Sequence, residues 1–201
     1  MTAPDVVFHF DPICPWTWMT SRWLTEVAEA RGLTLGLRSL SLRVVNDVAP
    51  GQHAPLDAGH EALRVVEALA DAEDLAGAAR FYTAIGELTH RAGVPLDREL
   101  VARASTDAQI PGALAAAVDD DAWDARVVES TDRAVEAAGG GIGSPVVLWP
   151  STGRATSGPI VSPPPTGEDA LRLWDVVTAA MEIPGFYELK QGRSGKAAQI
   201  P

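Results

Sequence analysis

The pattern of apolar and polar positions predicts strands near the two ends of the chain and helices between them. Residues 5–10 are rich in Val and Phe, and residues 33–42 alternate Leu with small or polar residues, which is typical of strands. Between them, apolar residues recur every three or four positions, which predicts a helix over residues 17–30 that ends at Gly32. Such a strand–helix–strand unit joins two parallel strands.

The middle of the chain is predicted to be helical. A loop-like stretch with two prolines covers residues 48–57. Ala-rich helical patterns then occupy residues 60–75, 78–92, 97–104, 111–118 and 121–138. Alanine favours helices, so these segments predict a block of closely packed helices.

Strand character returns after a glycine-rich run at residues 139–143. Residues 145–149 and 154–158 are predicted to form a hairpin, and residues 167–181 a final helix. The tail over residues 191–201 has no periodic pattern, so we expect it to be mobile. This order predicts an α/β domain made of residues 1–50 and 139–190, with residues 57–138 inserted as an all-helical subdomain.

The composition predicts a folded globular protein and gives no sign of binding to nucleic acid or membranes. The 201 residues are 46% hydrophobic, enough for a substantial core. The net charge of −11 gives no basic surface for nucleic acid or an anionic membrane, and no apolar run is long enough to cross a bilayer. The first residues do not show the pattern of a signal peptide, so we expect a cytoplasmic protein. One cysteine and four scattered histidines suggest no disulfide and no metal site.

The single cysteine, Cys14, follows the first predicted strand and precedes the first predicted helix. A thiol at a helix N-terminus faces the positive end of the helix dipole and unpaired N–H groups, and both favour the reactive thiolate. A lone intracellular cysteine is usually an inert core residue, but this position favours thiol chemistry. His53 and His60 lie in or beside a loop that could overhang the site, and we expect them at the surface.

The run Cys14-Pro15-Trp16-Thr17 resembles a thioredoxin-type C-x-x-C site whose second cysteine is replaced by threonine. Together with the helical block and with residues 143–147, which introduce the late strand, it resembles the DsbA-like thioredoxin family. Segments 11–23, 81–86, 173–175 and 186–190 are similar to actinobacterial mycothiol-dependent nitroreductases. The resemblance implies a thioredoxin-like fold with an inserted all-helical subdomain.

The resemblance also implies the roles of individual residues. Cys14 would be the catalytic thiolate, and the Thr17 hydroxyl would lower its pKa. The bond between Ser144 and Pro145 would be cis and would face Cys14. The residues expected to bind the thiol cofactor are Pro15, Trp16, Trp18, Ser144 and Pro145.

The function implied is that of a thiol-disulfide oxidoreductase or thiol-dependent reductase. A low-molecular-weight thiol, mycothiol or one like glutathione, would supply electrons to disulfides or to electrophilic substrates such as nitro compounds. We expect no metal, flavin or nicotinamide cofactor. The helical block would cover the site, and it is a candidate face for a homodimer.

Thr17 leaves two other hypotheses open. Without a second cysteine, a thiol from solution must resolve a mixed disulfide. The run from Phe10 to Trp18 also resembles kappa-class glutathione transferases and 2-hydroxychromene-2-carboxylate isomerases, which carry serine at the cysteine position and activate a bound thiol. A non-catalytic module that holds a ligand in the cleft is the third hypothesis, and an ordinary Cys14 pKa would favour it.

Overall fold

The computed structural model describes residues 3–192, which form a mixed α/β fold around a four-stranded sheet. The strands are β1 (Val6–Phe10), β2 (Leu35–Ser39), β3 (Val146–Trp149) and β4 (Arg154–Ser157). The helices are α1 (Pro15–Arg31), α2 (Leu42–Val45), α3 (Ala54–Asp71), α4 (Leu75–Gly86), α5 (Arg98–Asp107), α6 (Gly112–Ala115), α7 (Asp124–Ala137) and α8 (Gly167–Glu182). A π-helix, Glu87–Arg91, continues α4, and two short 3₁₀ turns precede α7.

The sheet has the strand order β2-β1-β3-β4. β1 pairs in parallel with β2 and antiparallel with β3, so that Phe8 lies opposite both Leu37 and Val147. β3 and β4 form the predicted hairpin. The parallel strand–helix–strand unit is therefore confirmed. Because β3 is antiparallel to β1, its first residue lies beside the end of β1, where α1 also begins.

The predicted boundaries were wrong in two places that bear on the site. The second strand was expected to reach residue 42, but β2 ends at Ser39. Ser41 instead caps α2, because its side chain accepts a hydrogen bond from the N–H of Val44. Helix α3, which corresponds to the helix predicted over residues 60–75, begins at Ala54. His53 caps this helix because its side chain accepts a hydrogen bond from the N–H of Leu56.

The larger apolar core contains residues of the sheet, of α1 and of the central helices. It includes Phe8 of β1, Trp23 of α1, Leu63 of α3, Phe81 of α4 and Val127 of α7. A second, smaller cluster contains Leu40, Ala134 and Val146. The division into an inserted subdomain and an outer domain stays a prediction, and the larger cluster includes residues from both parts.

The two terminal parts of the chain are also tied together. The buried indole of Trp23 donates to the carbonyl of Ala170 at 2.9 Å and packs against Trp174 of α8. Trp149 of β3 lies on the other side of Trp174, with the ring centroids 5.8 Å apart. No helix within residues 3–192 is both long and apolar enough to cross a membrane. Most of the predicted mobile tail, residues 193–201, lies outside the described residues.

Candidate active site

Cys14 lies at the N-cap of α1, half-buried, beside the start of β3. Its sulfur is 3.8 Å from the carbonyl oxygen of Ser144, close enough for the S–H of the neutral thiol to donate a weak hydrogen bond. The bond between Ser144 and Pro145 is cis, and Pro145 is buried. The structure therefore brings the predicted cysteine and the predicted cis-proline loop together across 130 residues of sequence.

Hydroxyl groups link the two segments. The Oγ of Ser144 accepts the backbone N–H of Asp11 at 2.9 Å and lies 2.8 Å from the Oγ1 of Thr17. A hydroxyl has one proton to donate, and the Ser144 proton is free to go to Thr17. The Thr17 proton is then available to the Cys14 sulfur. With this direction the two hydroxyl groups would form a chain of donors to a Cys14 thiolate, and the Thr17 hydroxyl lowers the pKa of Cys14.

Burial nevertheless dominates the acidity of Cys14, which corrects the prediction of a lowered pKa. Loss of solvent around the sulfur raises the pKa of the Cys14 thiol above its usual value. The hydroxyl of Thr17 and the N–H groups of Thr17 and Trp16 lower it, and the charge of Asp11 raises it further. The predicted effects of Thr17 and the helix start are present, but they do not outweigh desolvation.

Trp16 and Trp18 lie in different environments. Trp16, in the first turn of α1, is half-buried, and so is Pro15 beside it. Trp18 has no exposed surface at all, and its indole packs edge-on against Tyr82, with the ring centroids 5.9 Å apart. The assignment of Trp18 to the cofactor pocket was therefore wrong, because α4 covers the ring and leaves it no surface for a ligand.

Asp11 is a residue of this site for which the sequence pattern predicted no role. Its carboxylate is fully buried, and it accepts the N–H groups of Ile13 at 3.0 Å and of Leu42 at 2.7 Å. Burial raises the pKa of Asp11 to about 6, although both hydrogen bonds lower it. Asp11 thus joins the cysteine turn, the start of α2 and, through its own N–H, the Ser144 loop.

His60 is not at the surface as expected, and His90 has a role in the site that was not predicted. His60 is fully buried rather than at the surface, since its ring nitrogens lie 2.9 Å from the hydroxyl of Ser41 and 3.1 Å from the carboxylate of Asp124. His90, in the π-helix, donates from Nε2 to the carbonyl of Pro12 at 2.9 Å. Its ring also stacks on Trp18, so the helical block supports the cysteine turn directly. His53 is exposed, as expected.

Metal ligands are not grouped in the part of the chain that the structure describes. Within residues 3–192, no three His, Cys, Asp or Glu side chains are arranged to hold a metal ion.

Comparisons with known proteins place the chain in a family. Residues 13–191 match the family described as Rv2466c-like, mycothiol-dependent nitroreductase Rv2466c. The chain belongs to this family. It is also 34% identical over 198 residues to the uncharacterized protein Rv2286c of Mycobacterium tuberculosis, a match that covers 96% of this chain and 84% of the relative.

Two solved structures share the fold. Cytosolic disulfide reductase DsbM from Pseudomonas aeruginosa superposes with a TM-score of 0.59 at 18% identity, covering 87% of this chain and 98% of that one. A DsbA variant from Proteus mirabilis, solved with a non-covalently bound peptide, gives a TM-score of 0.55 at 13% identity and covers 91% of each chain. The predicted thioredoxin-like fold and DsbA-like resemblance are confirmed, and the family membership supports a thiol-dependent oxidoreductase.

Proposed function

We propose that this chain is a one-cysteine reductase that uses a low-molecular-weight thiol, mycothiol, to reduce disulfides or electrophilic organic compounds such as nitro compounds. The observation that carries the proposal is the position of the Cys14 sulfur, 3.8 Å from the Ser144 carbonyl next to a cis-proline. The backbone of Ser144 then lies where a thiol compound joined to Cys14 would run alongside it, as an added strand does. We place this activity in the cytoplasm, where such thiols stay reduced.

The chemistry balances with one protein sulfur and two external thiols. The Cys14 thiolate attacks a disulfide substrate, forms a mixed disulfide and releases the first substrate half as a thiolate. One mycothiol thiolate attacks the Cys14 sulfur and releases the second half. A second mycothiol then attacks the bound mycothiol sulfur, which yields mycothiol disulfide and regenerates Cys14. A nitro group reduced to a nitroso group consumes the same two thiols and releases water.

The protein residues act on the sulfur in opposite ways in its two states. As a thiol, Cys14 donates to the Ser144 carbonyl, and burial keeps it neutral. When it leaves as a thiolate, the donor chain from Ser144 through Thr17 stabilises the charge. In a two-cysteine site the second cysteine both stabilises the thiolate and resolves the mixed disulfide. Here Thr17 stabilises the thiolate, and an external thiol resolves the mixed disulfide.

One observation favours a second function. Because burial raises the pKa of Cys14, the same pocket would also suit an enzyme that binds an external thiol and activates it without being oxidised. This is the kappa-class transferase or isomerase hypothesis. In that case the hydroxyl groups of Ser144 and Thr17 would stabilise the thiolate of the bound cofactor.

Turnover separates the two functions. We would measure the mycothiol-dependent reduction of a nitroaromatic compound and of a small disulfide by the native protein and by Cys14→Ser. The proposed function predicts that Cys14→Ser loses activity on both substrates. Activity retained by Cys14→Ser would contradict it and favour the transferase or isomerase hypothesis. Thr17→Ser, which keeps the hydroxyl, is the matched control for damage to the site.

A further inference from the structure

The peptide unit between Pro12 and Ile13, just before Cys14, is hydrogen-bonded at both of its polar groups. Its carbonyl oxygen, that of Pro12, accepts from Nε2 of His90 at 2.9 Å. Its N–H, that of Ile13, donates to Oδ1 of Asp11 at 3.0 Å. Because a peptide unit is planar and rigid, rotating it would disturb both hydrogen bonds together. We call this unit the clamped peptide.

The clamped peptide controls how the chain enters Cys14. Residues 11–14 form a turn in which the N–H of Cys14 donates to the carbonyl of Asp11 at 3.1 Å. The clamped peptide is the middle unit of this turn. At the start of the turn, the N–H of Asp11 donates to the hydroxyl of Ser144, whose carbonyl lies 3.8 Å from the Cys14 sulfur. The orientation of the clamped peptide therefore contributes to holding the sulfur beside the Ser144 carbonyl.

His90 is held in place by the helical block. It lies in the π-helix Glu87–Arg91, and π-helical turns inside α-helices are frequent at functional sites. Its ring stacks on Trp18, with the ring centroids 5.9 Å apart, and Trp18 itself is fully buried. The imidazole therefore brings a fixed donor from the helical block to Pro12, across 78 residues of sequence.

Asp11, on the other side of the clamped peptide, is also packed against the helical block. A Cβ atom at Gly59 of α3 would lie 2.8 Å from Oδ1 of Asp11, so the backbone of α3 passes directly beside this carboxylate. Both side chains that hold the clamped peptide thus depend on the position of the helical block.

The hydrogen bond to Pro12 determines the form of the His90 ring. A carbonyl oxygen only accepts, so Nε2 of His90 carries the proton. Burial lowers the pKa of His90, and the Pro12 carbonyl raises it by a smaller amount. The ring is therefore neutral at pH 7, with Nδ1 unprotonated. In this form His90 donates to the turn without any change of charge.

We propose that His90 is a positioning residue for Cys14: by holding the clamped peptide, it keeps the sulfur beside the Ser144 carbonyl and so in line with an incoming disulfide or thiol. The helical block takes part in the reaction through this hydrogen bond. The proposal rests on the proposed function, since it concerns the exchange of Cys14 with an external thiol. A displacement of about 1 Å in a reacting group can cost about a hundredfold in rate.

The first test reads the protonation of the ring directly. The ring nitrogen shifts of His90 are measured by NMR in the native protein at pH 8, and the His90→Gln variant identifies its signals. We expect Nε2 to be protonated and Nδ1 to be unprotonated. The opposite tautomer would overturn the proposal, because Nε2 could not then donate to Pro12.

The second test separates the hydrogen bond from the ring. His90→Phe keeps an aromatic ring on Trp18 and removes the donor. His90→Gln removes the ring and keeps an N–H donor, since its amide nitrogen lies as many bonds from the backbone as Nε2. The rate of mixed-disulfide formation on Cys14 with oxidised mycothiol is followed by intact mass. We expect it to be at least tenfold slower in His90→Phe and within about threefold of the native rate in His90→Gln.

Alkylation by iodoacetamide is the control for acidity. It should fall by less than about threefold in both variants, because the proposal changes the direction of the sulfur rather than its thiolate fraction.

Three results of the second test would overturn the proposal: native exchange rates in both variants, equal slowing of both, or alkylation slowed in His90→Phe as much as exchange. A limb missing from the native pH–rate profile in His90→Gln would also overturn it, because the ring would then exchange a proton. Failure of the native protein to form any adduct would refute the proposed function, while the tautomer measurement would still decide whether His90 holds Pro12.

Discussion

The hydroxyl of Thr17 lowers the pKa of Cys14 against the larger effect of burial. Thr17→Val keeps the shape of the side chain and removes the donor, so the thiolate becomes harder to form. We expect the rate of Cys14 alkylation by iodoacetamide at pH 7 to fall by about threefold to tenfold, which corresponds to a hydrogen bond of about 1 kcal/mol.

Thr17→Ser separates the hydroxyl from the packing of the methyl group. It should keep an alkylation rate close to that of the native protein. If both variants slow alkylation equally, the Thr17 hydroxyl does not stabilise the thiolate. The raised pKa also predicts that the native rate is still increasing above pH 8, because the thiolate fraction grows until the pH passes the pKa.

Asp11 predicts a dependence of stability on pH. Its pKa is about 6 in the folded protein and near 3.8 when the chain unfolds, so the folded state binds the proton more tightly. Stability due to this group is fully present below pH 4 and is lost as the pH rises to 6. The difference in free energy of unfolding between the native protein and Asp11→Asn should therefore fall by up to about 3 kcal/mol across this range.

Urea unfolding of both proteins between pH 4 and pH 7 measures that difference. Taking the difference removes the contributions of Asp124, whose pKa is lowered, and of His9, whose pKa is lowered to about 4. A difference that stays constant with pH would show that Asp11 is ionised throughout.

Single residues also show what the sequence could and could not reveal about the site. Cys14 was identified because a cysteine between a predicted strand and a predicted helix is a local pattern, whereas the roles of Ser144 and Pro145 were implied by the resemblance to the DsbA-like family. The burial of Trp18 depends on α4, which lies more than 50 residues away, and no local pattern reports it. The role of Asp11 depends on the N–H of Leu42, which becomes available only because β2 ends early and α2 begins there.

At the scale of elements, α1 and α4 meet closely at Gly86. A Cβ atom at Gly86 would overlap the ring of Trp18, and the ring is held between Tyr82 and His90. Gly86→Ala is therefore expected to lower the free energy of unfolding by about 2–3 kcal/mol or more, as overpacking of a core does.

Gly112→Ala is the matched control, because its Cβ would meet nothing within 4 Å and its φ is not positive. Its stability should stay within about 0.5 kcal/mol of the native value. Chemical denaturation followed by circular dichroism measures both variants. Equal stabilities would mean that α1 and α4 do not pack as described.

The elements themselves were largely predictable, since hydrophobic periodicity is strong in long segments. The first, third and fourth strands and the helices α1, α7 and α8 lie within a few residues of their predicted positions. The stretch before α7 was less regular than predicted, because short 3₁₀ turns interrupt the helical pattern around Asp120. The π-helix was not predicted either, since its sequence has the same periodicity as an α-helix.

At the scale of the whole molecule, the shared core predicts cooperative unfolding. Residues of the sheet and of the central helices belong to one apolar cluster, so neither part keeps its buried surface without the other. We expect a single transition in guanidinium chloride, with the same midpoint by tryptophan fluorescence and by far-ultraviolet circular dichroism. Two separated transitions would instead support an inserted subdomain that folds by itself.

The central claim is that Cys14 exchanges with an external thiol through a mixed disulfide, and the mass of the intact protein tests it most directly. Native protein and Cys14→Ser are incubated with oxidised mycothiol, with oxidised glutathione in parallel. We predict an added mass of one mycothiol on the native protein alone, removed by excess reduced thiol, and a smaller yield with glutathione. An unmodified mass with both disulfides, although iodoacetamide still alkylates Cys14, would contradict the account.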